Sequence, residues 1–496
     1  MIHESKLAKN LAIFERIFSL PKMTISDFEN QLKIALKYPP TNGQEKAILA
    51  LSEFCIYKES NRVFLLTGYA GTGKSTLVAA LVKTIASYKR SSVLMAPTGR
   101  AAKVISQYSQ REAFTIHRKI YVPRNRKGGG VKFSLQSNKH RNTLFIVDEA
   151  SMVPDTNNDS SFFEGRSLLE DLMTYVYSGL GCQLMFVGDV AQLPPVHLNL
   201  SPALDAQVLL RDYGKSVQCV ELKEVVRQDD QGAIVNNATN LRHWIEHDTP
   251  EHLSFDLRGQ NEVIRPFGGQ EVLEALENAF SKDNLDQSVI IVRSNKRANL
   301  YNQEIRQRIL FRDEQLSVGD VLMVVKNNYY WLKPSDNAGF IANGDVIEVL
   351  EIFEFVSIYG FHFAQVRVRM LDYPTQSPFN TVLILNTISS DSSALTYDES
   401  NALYQAVRDD YPEITAHYKK FMAVKNNKYF NALQVKYSYA ITCHKSQGGQ
   451  WDTVFIEQPY LKEGPNKDYL RWLYTAMTRA KAQLYLLGFS QDYFDL

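Results

Sequence analysis

Four cysteines in 496 residues, Cys55, Cys182, Cys219 and Cys443, are too few and too scattered for a disulfide framework. None is spaced as a C-x-x-C pair, which argues against zinc and for a reducing compartment. No uninterrupted apolar run approaches the roughly 20 residues that span a bilayer. The first residues carry no signal-peptide pattern, so a cytoplasmic location is the expectation. Charge of one sign is lacking too. The formal net charge is +1, so affinity for a polyanion has to come from local patches. No carboxylate-rich block is present that would build a nuclease. A composition of 45% hydrophobic and 22% charged residues is ordinary for a globular protein, and the length suggests three or four domains.

Against this plain background one segment stands out. The apolar run Val63-Phe64-Leu65-Leu66 leads into Gly68-Tyr69-Ala70-Gly71-Thr72-Gly73-Lys74-Ser75, a complete G-x-x-x-x-G-K-[ST] phosphate loop set between a strand and a helix. Gly68, Gly71 and Gly73 let backbone N–H groups curl around phosphate oxygens. The helix that follows, with Thr76 in its first turn, turns its positive end to the same anion. Lys74 is placed to reach the β- and γ-phosphates, and the Ser75 hydroxyl to hold Mg²⁺. ATP and Mg²⁺ are therefore the expected cofactors.

Two further strand ends supply carboxylates. Leu144-Phe145-Ile146-Val147 ends in Asp148-Glu149-Ala150-Ser151, which suits a division of labour in which Asp148 completes the metal shell and Glu149 polarises the attacking water. Leu184-Met185-Phe186-Val187 leads into Gly188-Asp189 and then Gln192-Leu193-Pro194-Pro195, where Gln192 can bond the γ-phosphate and register its loss. Open parallel sheets bind ligands at the carboxyl ends of their strands, so three such ends in order make a consistent set.

These segments, with Ala96-Pro97-Thr98-Gly99-Arg100-Ala101-Ala102-Lys103 and Thr115-Ile116-His117-Arg118, resemble motifs Ia, Ib, II and III of superfamily 1 helicases, closest to the RecD-like and Dda-like branch. Tyr439-Ala440-Ile441-Thr442-Cys443-His444-Lys445-Ser446-Gln447-Gly448 resembles motif V, and Tyr474-Thr475-Ala476-Met477-Thr478-Arg479-Ala480 motif VI. The motifs run from about Gln44 to Lys481, nearly the whole chain. The resemblance implies an α/β fold: two RecA-like parallel-sheet motor domains, a basic β-hairpin inserted in the first and an SH3-like β-barrel inserted in the second.

On that basis the chain divides into an N-terminal helical segment (1–40), motor domain 1 (41–222), motor domain 2 in two pieces (223–310 and 432–496), the barrel (311–388) and a helical extension (389–431). Between His117 and Asn142 Lys and Arg occur at 118, 119, 124, 126, 127, 132, 139 and 141 with no acid, and residues 118–142 read as a hairpin that wedges open a duplex. The short runs Val318–Val325, Asn343–Leu350, Phe361–Val368 and Val382–Leu385 predict barrel strands, and the parallel sheet is expected to resume at Gln434–Tyr439. Tyrosines at 397, 404, 411 and 418 share a face that Pro412 interrupts, and are expected to pack against the barrel.

The resemblance also implies roles. Gln44 forms a capping box with Thr41 and, in the family, reads the adenine edge. Arg227, in Glu224-Val225-Val226-Arg227-Gln228, and Arg479 match the two arginines that stabilise charge on the departing phosphate. Thr98, His117, Asn295, Thr442, His444 and Lys445 match positions facing single-stranded DNA. The expected activity is 5′ to 3′ translocation on single strands and unwinding at duplex junctions, by a monomeric motor serving replication, recombination or repair. A single-strand-binding or recombination protein is a candidate partner. Two alternatives stay open: an ATPase subunit that does not unwind alone, and a motor on RNA. One departure is plain. Where the family has a Ser-Glu pair after motif V, this chain has Gly449-Gln450, which predicts weaker nucleotide binding or looser choice of sugar.

Overall fold

The computed structural model describes residues 24–57, 59, 61–125, 131–155, 166–196, 198–224, 232–257, 262–281, 285–332 and 340–494. Its first half alternates strand and helix. The strands are β1 (Arg62–Gly68), β2 (Ser92–Ala96), β3 (Ala113–Thr115), the hairpin pair β4 (Tyr121–Asn125) and β5 (Val131–Leu135), then β6 (Leu144–Val147), β7 (Gln183–Gly188) and β8 (Ser216–Leu222). Six of them form one parallel sheet in the order β3-β2-β6-β7-β1-β8. Every second residue points to the same face, so β1 alone feeds two cores. Val63 and Leu65 join the cluster under helix Leu168–Ser178, while Phe64 and Leu66 join the cluster with Leu77, Leu81 and Ile85 of helix Lys74–Ser87. Burial on both faces explains why these strands read as continuous apolar runs.

Helix Ile25–Ala35 packs on that second cluster through Phe28 and Leu32; the other apolar residues noted in the N-terminal segment lie outside the described residues. The hairpin is real but shorter than residues 118–142. Helix Ile116–Ile120 precedes it, and the antiparallel pairing runs from Tyr121↔Leu135 to Asn125↔Val131. Beyond it the chain is anchored: Asn138 donates to the carbonyls of Tyr175 at 3.0 Å and Val176 at 3.2 Å.

The second half supplies β9 (Val263–Ile264) and β10 (Ser288–Val292), then the barrel strands β11 (Val321–Val324), β12 (Val346–Ile358), β13 (Phe361–Met370), β14 (Phe379–Ile384) and β15 (Leu433–Tyr437). After them come β16 (Ala440–Thr442), β17 (Trp451–Glu457) and β18 (Ala480–Leu487). A second parallel sheet has the order β16-β10-β17-β18-β9, and β11 to β15 close a barrel. Here the sequence expectation needs correcting. Residues 434–437 do not resume the parallel sheet; β15 pairs antiparallel with β11 and parallel with β14, completing the barrel, and the sheet resumes only at Ala440. An alternating strand reads alike in either setting, and the pairing depends on a partner far away in sequence.

The helical extension meets the expectation by halves. Tyr404 and Tyr411 pack with Phe361, Phe363 and Ile384 of the barrel, but Tyr397 and Tyr418 are exposed. The barrel also grips the first sheet's domain. Lys103, on helix Gly99–Ser109, pairs with fully buried Asp345 at 2.7 Å and with Asp372 at 3.4 Å, and its ammonium lies 3.6 Å from the centre of the Tyr373 ring. A Cβ at Gly99 would overlap that of Ala342, so the helix can lie against the barrel only with glycine at that place.

Candidate nucleotide cleft and DNA-facing strand ends

The phosphate loop closes on the left-handed conformation of Gly71 and Gly73, both at φ 81°, which a residue with a Cβ adopts at a cost. Thr72 braces the loop from behind. Its hydroxyl donates to the Tyr69 carbonyl at 2.8 Å, and its own carbonyl accepts from Gln44 Nε2 at 3.2 Å. Gln44 meanwhile completes the capping box with Thr41. Lys74 Nζ donates to the carbonyls of Gly68 and Tyr69 at 2.6 and 2.8 Å, so the loop's own backbone holds the ammonium.

A cleft of about 1220 Å³ opens over this loop. Gly71, Gly73, Lys74, Ser75 and Thr76 line it, with Gln44 at one end and Asp148, Glu149 and Gln192 at the ends of β6 and β7. Arg479 and Gln450 enter from the second half of the chain. Gly68 and Thr72 are not part of the wall; they shape the loop that is. Arg227 lies outside the described residues.

Charge in this cleft is concentrated. Burial, then the neighbouring Asp148, pushes the Glu149 carboxyl up to about 7, with Arg479 and Lys74 opposing the rise. Burial also raises Asp148. Glu149 stands at φ 52°, a left-handed conformation uncommon outside glycine, so the chain turns sharply at the end of β6 and leaves both carboxyls at the cleft. Gln192 Oε1 is buried without a hydrogen-bond partner, an acceptor held beside the cleft. Arg479 is itself anchored: Nε donates to the Thr475 carbonyl at 2.9 Å and an Nη to the Gly449 carbonyl at 3.3 Å.

Several residues that local pattern did not single out join the two halves. Tyr474 Oη accepts the N–H of Ala70 in the phosphate loop at 3.0 Å and donates to Asp189 at 2.8 Å. Thr475 accepts the N–H of Leu193 at 2.8 Å, and Gln447 Nε2 donates to the Leu193 carbonyl at 3.0 Å. The loop after β7 is therefore held at three points from the other side of the cleft. Arg100 stacks over Trp451 at 4.1 Å, and a Cβ at Gly449 would strike both side chains. Glycine at position 449, after motif V, leaves room for this cation–aromatic pair between the two halves of the chain.

The six DNA-facing candidates lie away from the cleft wall. Thr98 follows β2 and His117 follows β3, two neighbours at one edge of the first sheet. Asn295 follows β10, and Thr442 ends β16, two neighbours at one edge of the second. His444 and Lys445 occupy the turn just after Thr442. Burial, then nearby Lys436, lowers the Lys445 ammonium to about 8. In each sheet the nucleotide candidates sit at other strand ends than the DNA candidates, which share one edge.

Residues 41–255 match the AAA domain family, and residues 437–487 match the UvrD-like helicase C-terminal domain. The chain is 24% identical over 477 residues to the ATP-dependent DNA helicase Dda of Enterobacteria phage T4, covering 90% of this chain and 98% of that protein. It is 31% identical over 184 residues to the ATP-dependent RecD2 DNA helicase of Deinococcus radiodurans, covering 37% of this chain and 22% of that one. These matches support a superfamily 1 helicase on the Dda and RecD-like branch. Among solved structures, Pif1 helicase from Bacteroides with ADP-AlF3 and ssDNA aligns over 93% of this chain and 95% of that one, at 16% identity and a TM-score of 0.49. Among the described residues of this helicase no helix is long and apolar enough to cross a membrane.

Proposed function

We propose that this helicase hydrolyses ATP to translocate 5′ to 3′ along single-stranded DNA and to unwind duplex at junctions. The observation that carries the reading is the division of labour between strand ends. Candidate nucleotide groups converge on a cleft bounded by both halves, while one edge of each sheet offers a separate pair of strand ends to a nucleic-acid strand.

The oxygens of Ser75 and Asp148 are hard donors of the kind Mg²⁺ prefers. Such an ion would be held by one or two side chains together with nucleotide phosphates and water. When bound, the ion would neutralise charge on the β- and γ-phosphates. Lys74 would leave the loop carbonyls for those phosphates, and Glu149 would take the proton of the attacking water. Gln192 would bond the γ-phosphate with its amide, and Arg479 would stabilise the charge that develops as that phosphate departs. Arg227 is proposed for the same task on the strength of its motif. Gln44 would hold the adenine edge, with Gln450 at the sugar.

Departure of the phosphate removes the group that Gln192 and Arg479 share, so the two halves part. Thr98 and His117 on one half, with Asn295, Thr442, His444 and Lys445 on the other, would then release and regrip in turn. Contacts of this type to phosphates carry no sequence information, which suits passage over any sequence.

ATP hydrolysis measured with DNA or RNA single strands, and strand displacement on duplexes carrying one 5′ or one 3′ tail, test the reading. Displacement confined to the 5′-tailed duplex is the expected result. Hydrolysis without displacement on either duplex points to a subunit of a larger complex, and stimulation by RNA alone to an RNA motor.

A further inference from the structure

Helix Gly99–Ser109, with Thr98 as its N-cap, runs along the nucleotide cleft from Arg100 to Tyr108. There Tyr108, which lines the cleft, donates its hydroxyl to Asp148 Oδ2 at 2.7 Å. The Ser75 hydroxyl is its second polar neighbour. The other oxygen of Asp148 accepts the N–H of Glu149 at 2.9 Å. One phenol oxygen thus lies against both side chains that would hold Mg²⁺, and the Asp148 carboxylate is bonded on both oxygens by the protein itself.

We propose that Tyr108 is a positioning residue that holds Asp148 and Ser75 in place while no nucleotide is bound, and that Mg²⁺ must displace its hydroxyl from them. The proposal rests on the assignment of Ser75 and Asp148 as metal ligands. Its physical basis is competition. The phenol O–H and a cation seek the same lone pairs of Asp148, and a buried carboxylate gains from either one. The hydroxyl lowers the cost of burying the carboxylate and would take an equivalent share from a metal that competes for it. Because Tyr108 is built into a helix, letting go of Asp148 requires either a turn of its side chain or a shift of that helix.

The test is the affinity of ADP measured by calorimetry, first in EDTA and then in Mg²⁺, for the natural protein, Tyr108→Phe and Asp148→Asn. The Phe variant keeps the ring and removes only the competing hydroxyl. Its affinity in EDTA should match the natural protein, and its gain from Mg²⁺ should be about tenfold larger, the size of a lost hydrogen bond to a charged group. An equal or smaller gain overturns the proposal; a smaller one would mean that the hydroxyl supports the metal. If Asp148→Asn keeps the full Mg²⁺ gain, the ligand assignment itself is wrong, and the proposal falls with it. A second measurement avoids the loss of the hydroxyl. With 3-fluorotyrosine in place of Tyr108, the fluorine resonance should shift on adding ADP with Mg²⁺ and stay fixed with ADP in EDTA. A resonance that ignores the metal overturns the proposal as well.

Discussion

The hydroxyl of Thr475 accepts the backbone N–H of Leu193 at 2.8 Å, joining helix Lys467–Met477, which leads into Arg479, to the loop that carries Gln192. Leu193 sits one residue after the side chain proposed to bond the γ-phosphate, and Thr475 one helical turn before the proposed arginine. Thr475→Val removes the acceptor and keeps the shape. We expect ATP affinity to change little, ATP hydrolysis to lose much of its stimulation by single-stranded DNA, and melting temperature to fall by a few degrees, as for one lost hydrogen bond of about 1 kcal/mol. Full stimulation in the variant would show that the loop is positioned without this bond.

For the phosphate loop, Lys74→Ala should abolish hydrolysis while the fold survives, since the ammonium's hydrogen bonds go to loop carbonyls. Glu149→Gln should retain ATP binding and lose turnover, because the amide keeps the shape and cannot take a proton. Equilibrium binding of labelled ATP separates the two roles. Weak binding by the Gln variant would move Glu149 from the water to the metal.

Arg479→Ala should lower turnover by about three to five orders of magnitude if its guanidinium stabilises the departing phosphate. ATP affinity should change far less. Single-turnover hydrolysis on saturating DNA reads the step directly, and a variant with normal turnover would reduce Arg479 to an anchor for Gly449 and Thr475.

Lys445 gives a pH dependence. Its ammonium titrates near 8 because burial and the nearby Lys436 disfavour its charge, while Lys436 is itself lowered to about 8 with Asp391 opposing. The charged form, present below that value, is the one that meets a phosphate. Affinity for single-stranded DNA should therefore fall as pH rises from 7 to 9. Lys445→Arg keeps its charge throughout, so its affinity should hold over the same range. Equal slopes for the two proteins, measured by fluorescence anisotropy at fixed salt, would take Lys445 out of the DNA contact.

The hairpin prediction is sharpened by the structure. Asn138 anchors the return of the chain, so a deletion reaching residue 139 would disturb helix Leu168–Ser178 as well. Replacing residues 124–132 by a tight Gly turn leaves that anchor alone. ATP hydrolysis on single strands should stay near normal while duplex unwinding falls sharply. Weaker binding to single and double strands alike, with a shallower salt dependence, would mean a basic patch instead of a wedge.

Much of the cleft was legible in the sequence because its chemistry is written in short runs. A phosphate loop needs glycine at fixed steps, and a strand that ends in Asp148-Glu149 declares itself in four letters. Tyr108, Arg100 and Tyr474 act differently. Tyr108 meets Asp148 across 40 residues and Tyr474 meets Ala70 across 404, so no local spacing marks either contact. The barrel shows the same limit. Four of its strands are visible as alternating runs, yet β15 closes it by pairing with β11, more than a hundred residues upstream, and its own pattern fits a sheet equally well. The length of β12 and β13 was hidden too, since the outer part of that hairpin exposes Phe353 and Phe355 and breaks the alternation.

Between the end of β15 at Tyr437 and the start of β16 at Ala440 only Ser438 and Tyr439 intervene. Tyr439 is fully buried, and its hydroxyl accepts the N–H of Val321 at 3.1 Å and donates to Asp320 at 3.3 Å. That splice leaves no slack. A shift of the barrel is therefore expected to move the edge strand that ends at Thr442 as well. The barrel would thus act as a lever arm on the strand end proposed to face DNA.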